Sequence, residues 1–374
     1  MGQDHVGILL NSSMYRGIPR SKTGQESLAN YEEAARRYGL IPCFLRLGDI
    51  DLKQNKTIAY VFNGRDYVKT VIPIPPVIHN RALYSEPAAR RKIQALQSQG
   101  TCIFNVSNRY GKDAIHGLLW NDPYLRGFLP ETHAATPSSI KRMMVRHSDL
   151  ILKPIRGSIG HGVMRLRKTK TQWELLLSPA KGQKKPDTIK LRGSQLPNWL
   201  YRLLKQVPYL VQERIPLAEY KGRPIDLRVT VQRGAGGIWG VTGMFTKAAP
   251  PGSFISNLAK GADAYPAPQL LVEALPPALV PAVISQVKGL ALTIARRLSC
   301  HLPLLGDLGM DIGLTPNGHP YFIECNGRDQ RYGFRKAGME KTWKDTYQQP
   351  MAFARHLIDH PASAYLFTPK HLSL

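Results

Sequence analysis

The sequence lacks the features of secreted, membrane and zinc-binding proteins. Its four cysteines lie far apart and include no CxxC pair, so neither a zinc framework nor a disulfide-rich fold is expected. No basic segment followed by an apolar one opens the chain, which argues against a secretory signal. The longest apolar stretch, residues 270–298, contains Glu273, Lys288 and several prolines, so no membrane-spanning segment is expected. These absences favour a reduced, cytoplasmic protein.

Acidic residues are also scarce. The 374 residues include 51 Lys and Arg but only 26 Asp and Glu, which gives a formal net charge of +25. Such an excess attracts anionic partners, which include nucleotides, acidic peptides and nucleic acids. Basic residues are dense over residues 151–206, where aromatic residues are few and no nucleic-acid-binding motif occurs. A small-molecule or acidic peptide substrate is therefore favoured over nucleic acid, and a solvated basic face is the third interpretation.

The order of predicted elements divides the chain into segments. A hydrophobic content of 43% over 374 residues suits two or three globular domains. Residues 6–10 predict a buried strand, residues 27–38 a helix that Gly39 ends, and residues 41–47 a second strand. This order indicates an α/β layer at the start of the chain. The predicted domains are residues 1–105, 106–215 and 216–374.

The strongest local signal is the pair of segments that carry Asp311 and Glu324. Apolar residues flank both, and the intervening residues include Asn317-Gly318, a preferred centre for a two-residue hairpin turn. With that turn, Asp311 stands directly opposite Glu324, and Asn326 points to the same face. Opposed carboxylates repel unless a cation lies between them, and an all-oxygen set suits Mg²⁺. The alternative is a hairpin whose acids merely face water.

The second signal is a glycine-rich turn after a predicted strand that ends in Lys153. Gly157, Gly160 and Gly162 occur in this turn, and another strand follows it. Glycine lets backbone N–H groups approach phosphate oxygens, and the lysine adds a positive charge. The pattern is neither a P-loop nor a dinucleotide fingerprint, because it lacks GK[ST] and leads into a strand. A phosphate-binding loop and a plain structural turn both fit this pattern.

Two weaker segments follow. Gln212 and Glu213 end a predicted strand whose exposed backbone could bind the edge of an adenine. Asp226, beyond a loop, could hold a ribose. Neither segment identifies a site alone, but the order of all these signals along the chain carries information.

In this order the motifs resemble those of the ATP-grasp superfamily. The matching positions are Lys112, Lys153 with its glycine loop, Gln212-Glu213, Asp226-Leu227-Arg228, Asp311, Glu324 and Asn326. Within the superfamily the chain is most similar to the YheC/YheD-type proteins, which share the early strand and the glycine loop. The resemblance covers nearly the whole chain. It implies an α/β and α+β architecture in which an N-terminal pre-ATP-grasp domain precedes two α+β subdomains that grip ATP.

The resemblance also implies cofactors and residue roles. The implied cofactors are ATP and Mg²⁺. Nucleotide contacts are implied for Lys112, Lys153, Gly157, Ser158, Gly160, Gly162, Gln212, Glu213, Ile215 and Asp226. Catalytic contacts are implied for Lys153, Arg228, Lys247 and Asn257. The implied Mg²⁺ ligands are Asp311, Glu324 and Asn326.

ATP-grasp enzymes usually activate a carboxylate, so the resemblance implies a reaction. A carboxylate is joined to an amine through an acyl phosphate, and ADP and phosphate are released. Phosphoryl transfer needs positioning and charge neutralisation more than a nucleophilic side chain, and none is evident in this sequence. The alternatives are a kinase of the same fold and a non-catalytic, nucleotide-binding spore-coat protein. Spore association is implied by the resemblance alone.

The segment after Asn326 departs from the pattern of related peptide ligases. Those enzymes continue with small residues and Pro-Gly, whereas residues 327–332 here read Gly-Arg-Asp-Gln-Arg-Tyr. The acceptor therefore cannot be transferred from them. Arg328 and Arg331 are candidates for binding a substrate carboxylate, because a guanidinium matches that group geometrically. A solvated basic loop is the equal alternative.

Overall fold

The computed structural model describes residues 4–157, 160–178 and 187–366. Three six-stranded sheets come from successive parts of the chain. The strands of the first sheet are β1 (Asp4–Leu9), β2 (Leu40–Asp51), β3 (Lys56–Phe62), β4 (Tyr67–Pro73), β5 (Val77–Asn80) and β6 (Cys102–Phe104). They lie in the order β4-β3-β2-β1-β5-β6, and β1 runs parallel to both β2 and β5. The accompanying helices are α1 (Ser12–Gly17), α2 (Leu28–Arg36) and α3 (Pro87–Ser98).

The second sheet is antiparallel throughout. Its strands are β7 (Thr132–Ala134), β8 (Asp149–Pro154), β9 (Met164–Lys168), β10 (Trp173–Leu177), β11 (Thr188–Leu191) and β12 (Tyr209–Glu213), in the order β11-β10-β9-β8-β12-β7. The helices of this part are α4 (Lys112–Trp120), α5 (Pro137–Arg146) and α6 (Asn198–Gln206). Helix α5 begins with a capping box between Thr136 and Ser139, which satisfies backbone donors that a helix start leaves unpaired.

The third sheet carries the carboxylate motif. Its strands are β13 (Glu219–Tyr220), β14 (Arg223–Arg233), β15 (Trp239–Ala248), β16 (Asp263–Pro266), β17 (Asp307–Leu314) and β18 (Pro320–Asn326). The order is β16-β15-β14-β17-β18, with β13 paired to β14. The remaining helices are α7 (Ala267–Ala274), α8 (Val280–Ser299), α9 (Tyr332–Lys336), α10 (Glu340–Asp359) and α11 (Ser363–Leu366).

Helices α4 and α10 each pack against a sheet from another of the three predicted domains. Ile115 and Leu119 of α4 join the core of the third sheet, although α4 precedes the second sheet in the chain. Tyr347 and Met351 of α10 join Ile8 in the core beneath the first sheet. The three sheets therefore occupy residues 4–104, 132–213 and 219–326, whereas their cores include helices from other parts of the chain. The domain boundaries at residues 105 and 215 stay a prediction.

The apolar stretch of residues 270–298 forms the end of α7 and, after a short 3₁₀ turn at Pro277–Leu279, most of α8. Among the described residues, Pro277–Ser299 is the one helical segment long and apolar enough to cross a membrane by length and composition. Pro281 lies in the first turn of α8, where its missing N–H breaks no helical hydrogen bond. The prolines therefore do not shorten this helical segment below the length of a membrane span, contrary to the expectation from the sequence. The apolar face of α8, which includes Val287 and Ile294, is buried in the core of the third sheet.

Candidate functional site

The β17–β18 hairpin places Asp311 directly opposite Glu324, as predicted. The predicted two-residue turn is wrong. The Thr315 N–H donates to the His319 carbonyl, so the turn is one residue longer than predicted, and the pairs next to it, such as Leu314 with Pro320, are shifted by one residue from the predicted register. A β-bulge next to Asp311 restores the predicted pairing. The Asn326 amide donates to Glu324 Oε1 at 3.3 Å, which confirms that these two side chains share a face.

Asp311 is already surrounded by cations. The Arg228 Nε atom donates to Asp311 Oδ1 at 2.7 Å, and the Lys247 ammonium lies 3.0 Å from the same oxygen. Burial acts to raise the pKa of Asp311, but Arg228 and Lys247 outweigh burial and hold it well below its usual range. The side chain is therefore ionised at neutral pH.

Lys247 bridges two buried carboxylates. Its ammonium lies 3.0 Å from Asp226 and 3.0 Å from Asp311. Burial acts to lower the pKa of Lys247, but these two carboxylates raise it. The other oxygen of Asp226 accepts the hydroxyl of Ser256. Both Asp226 oxygens are thus engaged within the carboxylate cluster, and Asp226 also lines the cavity described below. Its contact with a ribose stays a prediction.

Asp329 completes this cluster, although the sequence analysis does not identify it as a site residue. It is fully buried, and its side chain accepts Arg228 Nη1 at 3.0 Å and the hydroxyl of Thr230. Its backbone carbonyl accepts the guanidinium of Arg81 at 2.6 Å. The sequence offered one signal, which is a single acid in an otherwise basic loop.

The glycine loop lies between the second and third sheets. Lys153, at the end of β8, is buried, and its ammonium donates to Gln212 Oε1 at 2.9 Å. Burial lowers the pKa of Lys153 to about 8, and Glu324 opposes this shift. The Lys112 ammonium donates to the Gly157 carbonyl at 3.3 Å, and the Lys260 ammonium donates to the Gly160 carbonyl at 3.2 Å. The Gly157 and Gly160 carbonyls are thus each bound by a lysine from outside the loop.

Two glycines of the loop adopt backbone conformations that favour glycine. Gly160 and Gly162 have φ angles of 62° and 72°, and a Cβ atom on Gly162 would lie 2.7 Å from the hydroxyl of Tyr209. The predicted nucleotide contact Ser158 lies outside the described residues.

Gln212 and Glu213, the last two residues of β12, have side chains on opposite faces of the strand. Gln212 lies toward Lys153 and also donates to Thr132 at 2.7 Å. The Glu213 side chain faces His147, which in turn contacts Glu131 at 2.7 Å. Any contact between Glu213 and a nucleotide would therefore come from its backbone.

The two candidate substrate arginines have different surroundings. Arg328 is partly buried, and its contacts with other described side chains are long, including 3.8 Å to Glu26. The prediction for Arg331 needs correction. Its side chain is 1% exposed, its guanidinium pairs with Asp307, and it lies 4.5 Å from the centre of the Tyr347 ring. This buried ion pair holds Arg331 in the core and away from any substrate.

Two cavities meet at this site. Cavity 1, about 180 Å³ in volume, lies between the second and third sheets and is lined by Ile151, Lys153, Gly157, Gly160, Val163, Gln212, Ile215, Leu217, Asp226, Lys247, Asn257, Asp311, Ile323 and Glu324, among others. Cavity 2, about 280 Å³ in volume, is lined by Leu83, Asn108, Arg109, Lys112, Lys153, Arg156, Glu324, Asn326, Arg328 and Gln330, among others. Six residues line both cavities, namely Lys112, Lys153, Gly157, Gln212, Ile323 and Glu324.

The charges of the site fit a divalent cation. Four carboxylates, those of Asp226, Asp311, Glu324 and Asp329, lie around Arg228 and Lys247. Lys153 acts on Glu324 as a third positive charge, so the carboxylates still exceed the cations by one. Among the described residues, no Lys, Arg or His forms an ion pair with Glu324. Carboxylate and amide oxygens are the donors that Mg²⁺ prefers.

Comparisons with known proteins agree with this geometry. The model of the YheC/D-like ATP-grasp family matches residues 100–357. The endospore coat-associated protein YheD of Bacillus subtilis (strain 168) is 26% identical over 324 residues, which cover 81% of this chain and 67% of YheD.

Solved structures show the same fold. The VanG D-Ala:D-Ser ligase of Enterococcus faecalis has a TM-score of 0.54 at 13% identity, over 94% of this chain and 99% of that one. The ATP-grasp ligase PsnB, in a complex with a phosphomimetic variant of its minimal precursor, Mg and ADP, has a TM-score of 0.51 at 15% identity, over 93% and 99%. The fold is therefore ATP-grasp.

Proposed function

Because this chain belongs to the YheC/D-like ATP-grasp family, we propose that it is an ATP- and Mg²⁺-dependent ligase that joins a carboxylate to an amine. The observation that carries the proposal is the meeting of two cavities at Lys153 and Glu324. One cavity would hold ATP and the other the carboxylate substrate, so the reacting oxygen and the γ-phosphate would meet at their junction.

The lining of cavity 1 supports ATP binding. Ile151, Val163 and Ile215 offer an apolar slot for adenine beside the backbone at the end of β12. Lys153 and Lys247 offer positive charge for the phosphates, and the Asn257 side chain lies at the same cavity. Asp311, Glu324 and Asn326 would hold Mg²⁺, which neutralises phosphate charge when bound.

The proposed reaction has two steps. An oxygen of the substrate carboxylate attacks the γ-phosphorus, a new O–P bond forms, and the bond to ADP breaks. An amine then attacks the acyl carbon, the C–N bond forms, phosphate leaves, and the amine loses a proton. Arg228 and Lys247 would offset the negative charge of the transferring group, while the buried cluster holds both cations in place.

Trapping with hydroxylamine tests this proposal. We expect the protein, given Mg²⁺, ATP and a panel of glutamate-containing peptides, to release ADP and to form a hydroxamate, because hydroxylamine intercepts an acyl phosphate. Reactions without peptide are the control. ADP release with a stable phosphorylated product and no hydroxamate would instead identify a kinase.

A non-catalytic role in the spore coat is the second candidate. The name of YheD states coat association for that protein, and we propose the same association here. Immunoblotting of coat extracts would check it, and absence from those extracts would argue against it. ATP binding with no turnover on any peptide would favour the non-catalytic role. The cytoplasmic location stays a prediction.

Asp329 is expected to act as a positioning residue for Arg228. Replacing Asp329 by Asn removes the charge that holds Arg228 Nη1, so we expect kcat to fall by about 10- to 100-fold, as for other groups that orient a site. The affinity for ATP should stay within about twofold. Thr230→Val is the matched control, since it removes only the neutral contact to Asp329. An equal loss of ATP affinity and kcat would mean that Asp329 is merely structural.

A further inference from the structure

Cavity 2 is strongly cationic. Five of its lining side chains are Lys or Arg, and Glu324 is the one carboxylate among the described residues that line it. The five are Arg109, Lys112, Lys153, Arg156 and Arg328. A cavity with this balance of charge attracts anions, and its low-dielectric walls strengthen the attraction.

Two of these cations belong to the wall shared with cavity 1. Lys112 contacts the Gly157 carbonyl at 3.3 Å, and Lys153 contacts Gln212 at 2.9 Å. The proposed function assigns both to ATP. Arg109, Arg156 and Arg328 line cavity 2 but not cavity 1, so they remain for the second substrate.

Arg109 and Arg156 are the exposed arginines that line cavity 2, and they mark its mouth. Both are exposed, and their segments are joined by a hydrogen bond from the Lys112 N–H to the Ile155 carbonyl at 3.3 Å. Within residues 4–157, 160–178 and 187–366, neither arginine forms an ion pair. Two guanidinium groups at one entrance can each bind a carboxylate through paired N–H donors.

Arg328 lies deeper in the cavity and is incompletely paired. Its Nη1 atom is 3.4 Å from Asn11 Oδ1, its Nη2 atom is 3.5 Å from Met14 Sδ, and Glu26 is 3.8 Å away. These long contacts leave the charge of Arg328 poorly compensated. A substrate carboxylate would improve that compensation.

We propose that cavity 2 binds an acidic peptide, whose reacting carboxylate lies near Asn326 and Arg328 and whose additional carboxylates lie against Arg109 and Arg156. This inference rests on the proposed ligase function for the identity of the reacting group, but its anion-binding part does not. A substrate with one carboxylate would leave the two arginines at the mouth without partners.

The aromatic residues of the cavity favour a peptide over nucleic acid. Binding of single-stranded nucleic acid uses aromatic rings that are free to stack on bases. Phe322 is buried in the core of the third sheet, Tyr110 packs against the same core, and His116 stacks on Trp120 at 5.6 Å. Among the described lining residues, no Trp, Tyr or Phe ring is fully exposed.

Binding of labelled peptides tests the inference. Tetraglutamate and tetraglutamine peptides would be titrated against the full chain with Mg²⁺ and a non-hydrolysable ATP analogue, and ADP release would be measured with ATP. We expect tetraglutamate to bind at least tenfold more tightly than tetraglutamine. Arg109→Gln with Arg156→Gln should weaken tetraglutamate binding by about tenfold or more, since hydrogen bonds to charged groups are lost. Affinity for ATP should not change, and the exposed Arg65→Gln is the matched control.

Several results would overturn the inference. One is equal affinity of the protein for tetraglutamate and tetraglutamine, and another is unchanged tetraglutamate binding in the double variant. A third is a loss of ATP affinity in the double variant as large as its loss of tetraglutamate affinity. The last is arginine-dependent binding of an oligonucleotide that is tighter than the binding of tetraglutamate. Arginine-dependent binding of tetraglutamate without ADP release on any peptide would support the anion site and contradict the ligase function.

Discussion

Replacing Glu324 by Gln should lower the rate of ADP release by about three orders of magnitude, which corresponds to several kcal/mol of lost charge stabilisation. The substitution keeps the size of the side chain and its contact with Asn326 but removes the excess negative charge of the site. We expect ATP affinity to lose its dependence on Mg²⁺, which calorimetric titration with and without the ion would measure.

Glu273→Gln is the matched control for this experiment. Glu273 is an exposed residue of α7 in the same part of the chain, so its replacement should change neither ADP release nor the effect of Mg²⁺ on ATP affinity. If Glu324→Gln retained full activity with normal Mg²⁺ dependence, the carboxylates of the hairpin could not be the proposed metal ligands.

Replacing Lys247 by Met should lower the free energy of unfolding by about 3–5 kcal/mol, the usual effect of removing one partner from a buried ion pair. The substitution leaves Asp226 and Asp311 buried close to each other without the ammonium between them. Urea denaturation would measure the loss, and the ATP affinity of the folded variant would be measured separately.

Two variants make this prediction sharper. Adding Asp226→Asn to Lys247→Met should recover part of the stability, because it removes one of the two carboxylates that the first substitution leaves unpaired. Lys341→Met removes an exposed helical ion pair with Asp345 and should cost less than about 1 kcal/mol. A loss of similar size for Lys341 and Lys247 would contradict the argument that burial makes the bridge at Lys247 important.

The sequence by itself determined the local elements and the family. The glycine turn after Lys153 and the pairing of Asp311 with Glu324 follow from periodicity and spacing, which depend on neighbouring residues. Even the error at the Asn317-Gly318 turn did not change that pairing, because a one-residue bulge offsets the one-residue difference in the turn.

The tertiary structure alone decided which charged side chains can reach a ligand and which are held in buried ion pairs. Arg328 and Arg331 are three positions apart and look equivalent in the sequence, yet one lines a cavity and the other is buried against Asp307. The role of Asp329 and the bridge at Lys247 likewise depend on partners that are distant in the chain. A buried charge is stable only where an opposite charge meets it, and spacing along the sequence does not encode which distant groups meet.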